Sequence, residues 1–532
     1  MPGFIPIAGS QRELQHASRS AGSADLAAPT RVTVRLRSKG DLAALTAKVQ
    51  ELAATPLAER EYLTHADLER LYGATQDDLD KVEDYGRRHD LVVVHRSALE
   101  RAVTLSGRLG NVLAAFPADV RLYHSPMGTY RGRTGHISLP DDLSDIVTGV
   151  FGLDTRPKSR APFRARALAH QNSGPGGSKG LAATEFAARY KFPAMAGTAT
   201  LDGSGQTIAI IELGGGYRHA DLAVFFHEIG QPLPVVSAIG VDHSRNAPSD
   251  PRSADGEVML DIEVAGAVVP KARLAVYFGP NEGDKGFLDT ISAAVYDAQR
   301  KPSVISISWG ASESLNDKQG VDAYHQLFTA AAALGITICA ASGDHGTANE
   351  TADNWDGGIH VNHPACDPMV LSCGGTQIDN DVDVAWNDGT TLAHGGWAGG
   401  GGVSILFPLP DYQAQAGVPL SLVSGLAGRG VPDIAMSATN YFTRVDSFEG
   451  ASGGTSAVAP LMAALVARFN QAKSKNVGFL NPFLYANPGA FTDVVNGTIA
   501  LNGGPNGYAA GTGWDAATGL GTPNGEALLA RL

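Results

Sequence analysis

Cysteine is scarce, with three in 532 residues, and that excludes a disulfide framework. Cys339 lies in the apolar run Ile336-Thr-Ile-Cys-Ala and reads as a small buried hydrophobe. Cys366 and Cys373 either pair or both stay reduced. No run approaches the roughly 18 apolar residues that a membrane-spanning helix needs. The first ten residues, Met1 to Ser10, lack both a basic region and a continuous apolar core, so a standard signal peptide is not visible. Positive charge is also short: 41 Lys and Arg face 54 Asp and Glu, a net charge of −13. The deficit is uneven. Residues 1–170 carry 23 basic and 20 acidic side chains, leaving residues 171–532 at −16. An acidic C-terminal part argues against a nucleic-acid or anionic-membrane partner, and suits a protein that works in acid, where carboxylates discharge.

What is present is 43% hydrophobic residues with 64 Gly and 29 Pro, enough apolar material for one small and one large domain. Residues 1–30 are small and polar and read as a flexible arm. Val32, Val34 and Leu36 then alternate as a strand. Helical spacing follows over Asp41–Thr55, Thr64–Tyr72 and Asp77–His89, with strands at Leu91–His95 and Val103–Leu105. This gives a compact α+β domain over 31–155. Residues 156–180 gather Arg156, Lys158, Arg160, Arg164 and Arg166 before Asn172-Ser-Gly-Pro-Gly-Gly-Ser-Lys-Gly, a composition that cannot bury itself and reads as an exposed, cleavable linker.

From Gly205 onward, short β-branched strands alternate with helices: Thr207–Ile211, Ala220–Ile229, Val235–Ile239, Gly256–Val269, Leu274–Phe278, Gly286–Ala298, Val304–Ile307, Val321–Leu334 and Ile336–Ala340. The pattern is that of a doubly wound parallel sheet covered on both faces, with its chemistry at the carboxyl ends of the strands. Gly214-Gly215-Gly216 lacks the Lys-Ser/Thr of a phosphate loop and the spacing of a dinucleotide site, so no nucleotide is expected.

Gly453-Gly454-Thr455-Ser456-Ala457-Val458-Ala459-Pro460 places a serine in a Gly-rich turn at the start of a helix, where the helix N-terminus favours developing negative charge. A serine nucleophile needs a base. His345-Gly346-Thr347 resembles the histidine motif of subtilisin-type peptidases, but the polar Ala-Asn-Glu-Thr-Ala-Asp-Asn after it is unlike the helix such a histidine needs. Asp255 to Ala267 reads instead as an amphipathic helix with Glu257 and Asp261 one turn apart, where two carboxyls cannot both ionise cheaply if buried, and the intervening Val258, Met259, Leu260 and Ile262 make it a helix packed on most sides. Glu212, Trp309 and Asp344 each fall at the end of a strand.

Taken together, Glu-Leu-Gly-Gly-Gly-Tyr at Glu212, the Glu257/Asp261 helix, Ser-Trp-Gly at Trp309, Ser-Gly-Asp at Asp344 and Gly-Thr-Ser-Ala-Val-Ala-Pro at Ser456 resemble the sedolisins, or serine-carboxyl peptidases, of the kumamolisin-like branch. The resemblance runs from about residue 180 to the C-terminus. Residues 31–155 resemble the family's activation prodomain, a small α+β ferredoxin-like unit, and residues 181–532 its subtilisin-like peptidase domain. It implies an acid-active endopeptidase, made as a self-processing zymogen and secreted. Ser456 would be the nucleophile, Glu257 the general base and acid, Asp261 its orienting partner and Asp344 the oxyanion donor, with Glu212 and Trp309 extending the network. It also implies one Ca²⁺, held by the carboxylates of Asp493 and Asp515 and the backbone oxygens of Val494, Gly511 and Gly513, an all-oxygen set of the kind that ion favours. Expected partners are peptide substrates and the chain's own prodomain, and a monomer is expected.

The alternatives are a neutral subtilisin-type peptidase and an inactive calcium-dependent binding module. A glutamate base exchanges protons in acid where an imidazole would be protonated, and an aspartate stabilises an oxyanion only while it holds its proton. On ordinary carboxyl values, activity should fall above about pH 6. Acid should also weaken the attraction between the two charge-unlike parts and prompt cleavage within 156–180, most favourably in Arg164–Ser173.

Overall fold

The computed structural model describes residues 3–157, 179–251 and 253–532. The expected linker therefore lies mostly outside the described residues, and the Arg164–Ser173 cleavage window wholly so.

In the N-terminal part, Pro29–Leu36 is the inner strand of a four-stranded antiparallel sheet. It pairs with Ala102–Arg108 on one side and Val147–Phe151 on the other, and Val92–Ser97 adds beyond Ala102–Arg108. That order, with helices between the first and second and the third and fourth strands, is ferredoxin-like. Helix starts follow local chemistry. Asp41 caps Leu42–Ala54 by accepting from the Ala43 N–H, and Thr64 and Asp67 form a capping box for His65–Tyr72. Val32, Val34, Leu79, Val82, Val103, Leu105 and Val112 close the core.

The expectation of a flexible arm over residues 1–30 does not hold. Phe4–Pro6 pairs with Ser138–Pro140, Ile7 enters the core, and Arg19–Ser23 joins a three-stranded sheet with Asp119–Ser125 and Gly128–Thr134. Arg12 is buried among Asp154, Asp284 and Asp317. Composition alone misleads here because two of those three carboxylates come from the distant peptidase part.

In that part, Val235–Gly240, Arg273–Phe278, Thr207–Glu212, Val304–Ile307, Thr337–Ala341 and Leu371–Asp379 lie side by side and parallel. Ile434–Ser437 pairs parallel with Leu371–Asp379, which also carries the antiparallel Val382–Ala385. Strand alternation divides the core. Ile208 and Ile210 face the helices Asp255–Val268 and Thr455–Lys473, while Ala209 and Ile211 face Gly283–Val295 and Lys318–Ala333. From Thr207–Glu212 the chain winds first to one side and then to the other, so its topological switch point lies between the carboxyl ends of Thr207–Glu212 and Val304–Ile307.

The helix over Asp255–Val268, expected to be packed on most sides, is covered on all of them: every one of its residues is buried, and no amphipathic face is left to solvent. It lies beneath the Thr455–Lys473 helix and the Tyr441–Val445 strand, so its acidic side chains face protein rather than water. The N-terminal domain packs its Leu42–Ala54 helix against Lys318–Ala333, with Leu45 and Val49 meeting Ala330 and Ala333. No helix among the described residues is long and apolar enough to cross a membrane.

Candidate active site

Ser456 is the second residue of the Thr455–Lys473 helix. Two glycines make that turn. Gly454 has φ +124°, and a Cβ on Gly453 would lie 2.3 Å from the Ala438 carbonyl oxygen. The Ser456 hydroxyl is buried and donates to the Ser308 carbonyl at 3.4 Å. Ser308 follows the Val304–Ile307 strand at the switch point. Its own hydroxyl faces both oxygens of Asp261, at 2.9 and 2.7 Å, and the Ser456 carbonyl at 3.2 Å.

Asp344, in the loop after Thr337–Ala341, reaches the same helix start. Its Oδ1 accepts the Thr455 N–H at 2.8 Å and the Thr455 hydroxyl at 2.6 Å, while its buried Oδ2 has no hydrogen-bond partner. Burial pushes this carboxyl up to about 7 against the pull of the two Thr455 donors. Across the switch point the Trp309 indole N–H donates to Glu212 Oε2 at 2.9 Å. Burial and the neighbouring Glu257 push Glu212 well above the usual carboxyl range, and burial and Glu212 do the same to Asp261. Glu212, Glu257 and Asp261 are all fully buried and share one electrostatic neighbourhood. Among the described residues no imidazole bonds to Ser456. The His345 ring packs beside Trp397 with centroids 5.5 Å apart.

A family model described as the Pro-kumamolisin activation domain matches residues 16–156, and one described as the subtilase family matches residues 203–482. Kumamolisin of Bacillus sp. (strain MN-32) is 42% identical over 518 residues, covering 94% of this chain and 91% of that protein. Sedolisin of Pseudomonas sp. (strain 101) is 28% identical over 92% of this chain and 84% of its own length. The crystal structure of Pseudomonas sedolisin, a serine-carboxyl proteinase complexed with two molecules of pseudo-iodotyrostatin, superimposes with a TM-score of 0.57. It is 29% identical and covers 67% of this chain and 98% of that one. The chain belongs to the sedolisin family. It is a serine-carboxyl peptidase made as a zymogen.

In this sedolisin-family zymogen the N-terminal part closes over a pocket beside Asp344. Ser308, Gly343 and Asp344 line it from the peptidase side, and Gln15, Met127 and Pro157 from the other. The activation-domain match starts at residue 16, inside the segment that composition alone made an arm.

All three cysteines are free and buried. The neighbour of Cys373 is Cys339 on the adjoining strand, which leaves Cys366 apart.

The five residues expected to hold Ca²⁺ come together in one C-terminal loop system. Asp493 accepts the Gly513 N–H at 2.8 Å, and Asp515 accepts N–H groups of Gly511, Ala517 and Thr518. Among the described residues no group of three or more His, Cys, Asp or Glu side chains is placed to hold a metal ion. A cation here would thus draw on two carboxylates plus backbone carbonyls, a donor set that fits Ca²⁺ and excludes softer metals. Burial raises the Asp515 carboxyl, so a cation would relieve a cost already present.

Two contributors escaped the reading by motif. Ser308 holds Asp261, and Thr455 holds Asp344. Both stand inside quoted motifs, Ser-Trp-Gly and Gly-Thr-Ser. Only their hydroxyls' directions assign them to those carboxyls.

Proposed function

We propose that this peptidase is an acid-active endopeptidase in which Ser456 attacks the scissile carbonyl. Glu257 takes the serine proton and returns it to the leaving amine, Asp261 orients Glu257, and protonated Asp344 donates a hydrogen bond to the oxyanion. The observation that carries this reading is Asp344. One of its oxygens is saturated by Thr455, and the other is buried with no partner. With the carboxyl pushed up to about 7, the unpartnered oxygen bears a proton throughout the acidic range and can donate it. The expected alkaline limit accordingly moves from about pH 6, set by ordinary carboxyls, toward pH 7. Glu212 and Trp309 support the pair from behind: their mutual bond holds a third carboxyl beside Glu257, so the cluster retains protons together.

Asp493 and Asp515 would hold Ca²⁺ through carboxylates, and Val494, Gly511 and Gly513 through carbonyls. When bound, the ion supplies positive charge that ties two distant loop segments. We read the protein as working outside the cell as a monomer, after cutting its own linker between residues 156 and 180.

The test is to incubate the purified precursor at about pH 4 and about pH 8, with the Ser456→Ala variant alongside, and to read fragment termini and peptide digestion by mass spectrometry. Cleavage and digestion are expected at the acidic pH only, and only with Ser456 present. Full-rate hydrolysis at pH 8 with Glu257→Ala tolerated would select a neutral subtilisin-type mechanism instead. Maturation of isolated Ser456→Ala would exclude self-processing.

A further inference from the structure

Two carboxyls outside the set just described meet where the Asp255–Val268 helix begins. Asp255, its first residue, is fully buried. Its Oδ2 accepts the Ser249 N–H, and its Oδ1 has no hydrogen-bond partner. Asp446 sits in the two-residue turn joining Tyr441–Val445 to Phe448–Ser452, with φ +49° there and +70° at Ser447. That turn favours Asn-Gly or Gly-Gly, and side chains other than glycine stay in it only when held. Asp446 Oδ1 accepts the Arg218 Nε–H at 2.6 Å, and its buried Oδ2 has no partner. The two carboxyls lie within hydrogen-bonding reach of each other.

The hairpin is tied to the same helix at a second point. Glu263 accepts the Arg444 N–H at 3.1 Å, while Asp221 accepts the Ser447 N–H at 3.1 Å and the Arg444 Nε–H at 3.0 Å. Glu257 lies two residues beyond Asp255, and the hairpin runs directly into the Gly453-Gly454 turn that presents Ser456.

Two buried carboxyl oxygens that face each other without a donor repel, and one proton between them turns repulsion into a short charge-assisted bond. We propose that Asp255 and Asp446 share one proton in acid and serve as positioning residues, clamping the hairpin to the helix so that Glu257 and Ser456 keep their relative placement. Among the described residues, the charged groups around the pair are Arg218 against Asp446, Asp221, Arg444, Glu449 and Glu263 along the hairpin, Asp250 before the helix and Glu257 after it. Because the Arg218 Nε–H already donates to Asp446, the shared proton is placed on Asp255. Burial pushes that carboxyl up, and Asp446 adds to the rise while the Ser249 N–H opposes it. Because the folded form holds this proton more tightly than an unfolded chain does, the clamp is complete at low pH and is lost as pH rises through the pair's ionisation.

The catalytic half of this inference rests on the roles proposed for Glu257 and Ser456, whereas its thermal half does not. The experiment therefore uses the full zymogen carrying Ser456→Ala, melted between pH 4 and pH 7. Asp446→Asn supplies an N–H that does not titrate, and its Tm should gain on its parent by about 1–2 °C as pH rises over that interval. Asp446→Ala should fall below the parent at pH 4 and converge with it at pH 7. Parallel curves for the parent and Asp446→Asn would overturn the shared proton. In the mature enzyme, Asp446→Asn should raise the ratio of kcat/KM at pH 6 to that at pH 4 by about threefold through kcat, a shift near 0.6 kcal/mol. Equal losses at both pH values for the Asn and Ala variants would overturn the positioning role.

Discussion

Buried carboxyls occur in two regions of this molecule, and the two treat them in opposite ways. Where the activation domain meets the peptidase, Asp154, Asp284 and Asp317 surround the Arg12 guanidinium at 3.3, 2.5 and 3.2 Å, and Arg133 also pairs with Asp317. In the active centre Glu212, Asp261 and Asp344 are buried as deeply, with no ion pair to any of them among the described residues. Burial penalises charge in both places. At the interface the Arg156 and Arg12 cations outweigh it and hold Asp154 below the usual carboxyl range, whereas in the centre nothing does and Asp344 rises to about 7. Acidification from neutrality therefore protonates Asp344 first and discharges Asp154 only at lower pH. The charge contrast between the two parts of the chain is expressed in buried pairs such as Arg12–Asp284 and Arg133–Asp317.

The comparison breaks most severely at Ser456, the proposed nucleophile. Ser456→Ala should lower peptide hydrolysis at about pH 4 by about 10⁶-fold, measured with a fluorogenic peptide, and leave the precursor uncut.

At the interface, Arg12→Ala removes the cation that three buried carboxylates share, leaving Arg156 beside Asp154 and Arg133 beside Asp317, and should destabilise the zymogen by about 3–5 kcal/mol, read as a denaturant midpoint in the Ser456→Ala background. Since Asp154 is held low, its share of this stabilisation is present above the ordinary carboxyl range and disappears as pH falls through its folded value. The gap between Arg12→Ala and its parent should accordingly narrow in strong acid. A gap that widens there would contradict the ion-pair account.

In the centre, Asp344→Ala should lower kcat by about 10²–10³. Asp344→Asn, whose amide donates at any pH, should retain more activity and extend it to higher pH. The unmodified enzyme should lose rate as pH rises through about 7, where Asp344 gives up its proton. A pH–rate profile whose alkaline limb is identical in the Asn variant would remove Asp344 from that role.

The smallest effect concerns the C-terminal loops, which lie outside both regions. Chelation should lower the Tm of the mature enzyme, with a saturating ion contributing about 2.7 kcal/mol at a hundredfold excess over its Kd, and Asp515→Ala should abolish the response. A Tm indifferent to chelator would count against calcium.

Much of the fold was legible because local patterns and tertiary demands agree. The alternating Val32, Val34 and Leu36 fall in the Pro29–Leu36 strand, and Thr207–Ile211, Leu274–Phe278, Val304–Ile307 and Ile336–Ala340 match sheet strands to within a residue at each end. β-Branched runs bounded by polar turns have few other stable uses. The site was legible for a related reason: its carboxyls stand at strand ends or inside an apolar helix, where a charge without purpose is costly. The arm over residues 1–30 was misread because Arg12 finds Asp284 and Asp317 only after the two domains meet. For the Asp255–Val268 helix the apolar residues between Glu257 and Asp261 signal packing on most sides, but spacing alone does not show that the remaining face is covered too.

By itself the sequence determined the succession of strands and helices, the glycine turn at Ser456 and the kinds of side chain available for proton transfer, since each depends on neighbours a few residues away. Tertiary structure alone decided which carboxyls keep their protons. That choice depends on whether folding brings an arginine, as it does to Asp154, or only apolar walls and a threonine, as it does to Asp344. The free energy of a buried charge is set by groups that can stand more than a hundred residues away along the chain, as Arg12 does from Asp154 and Thr455 from Asp344.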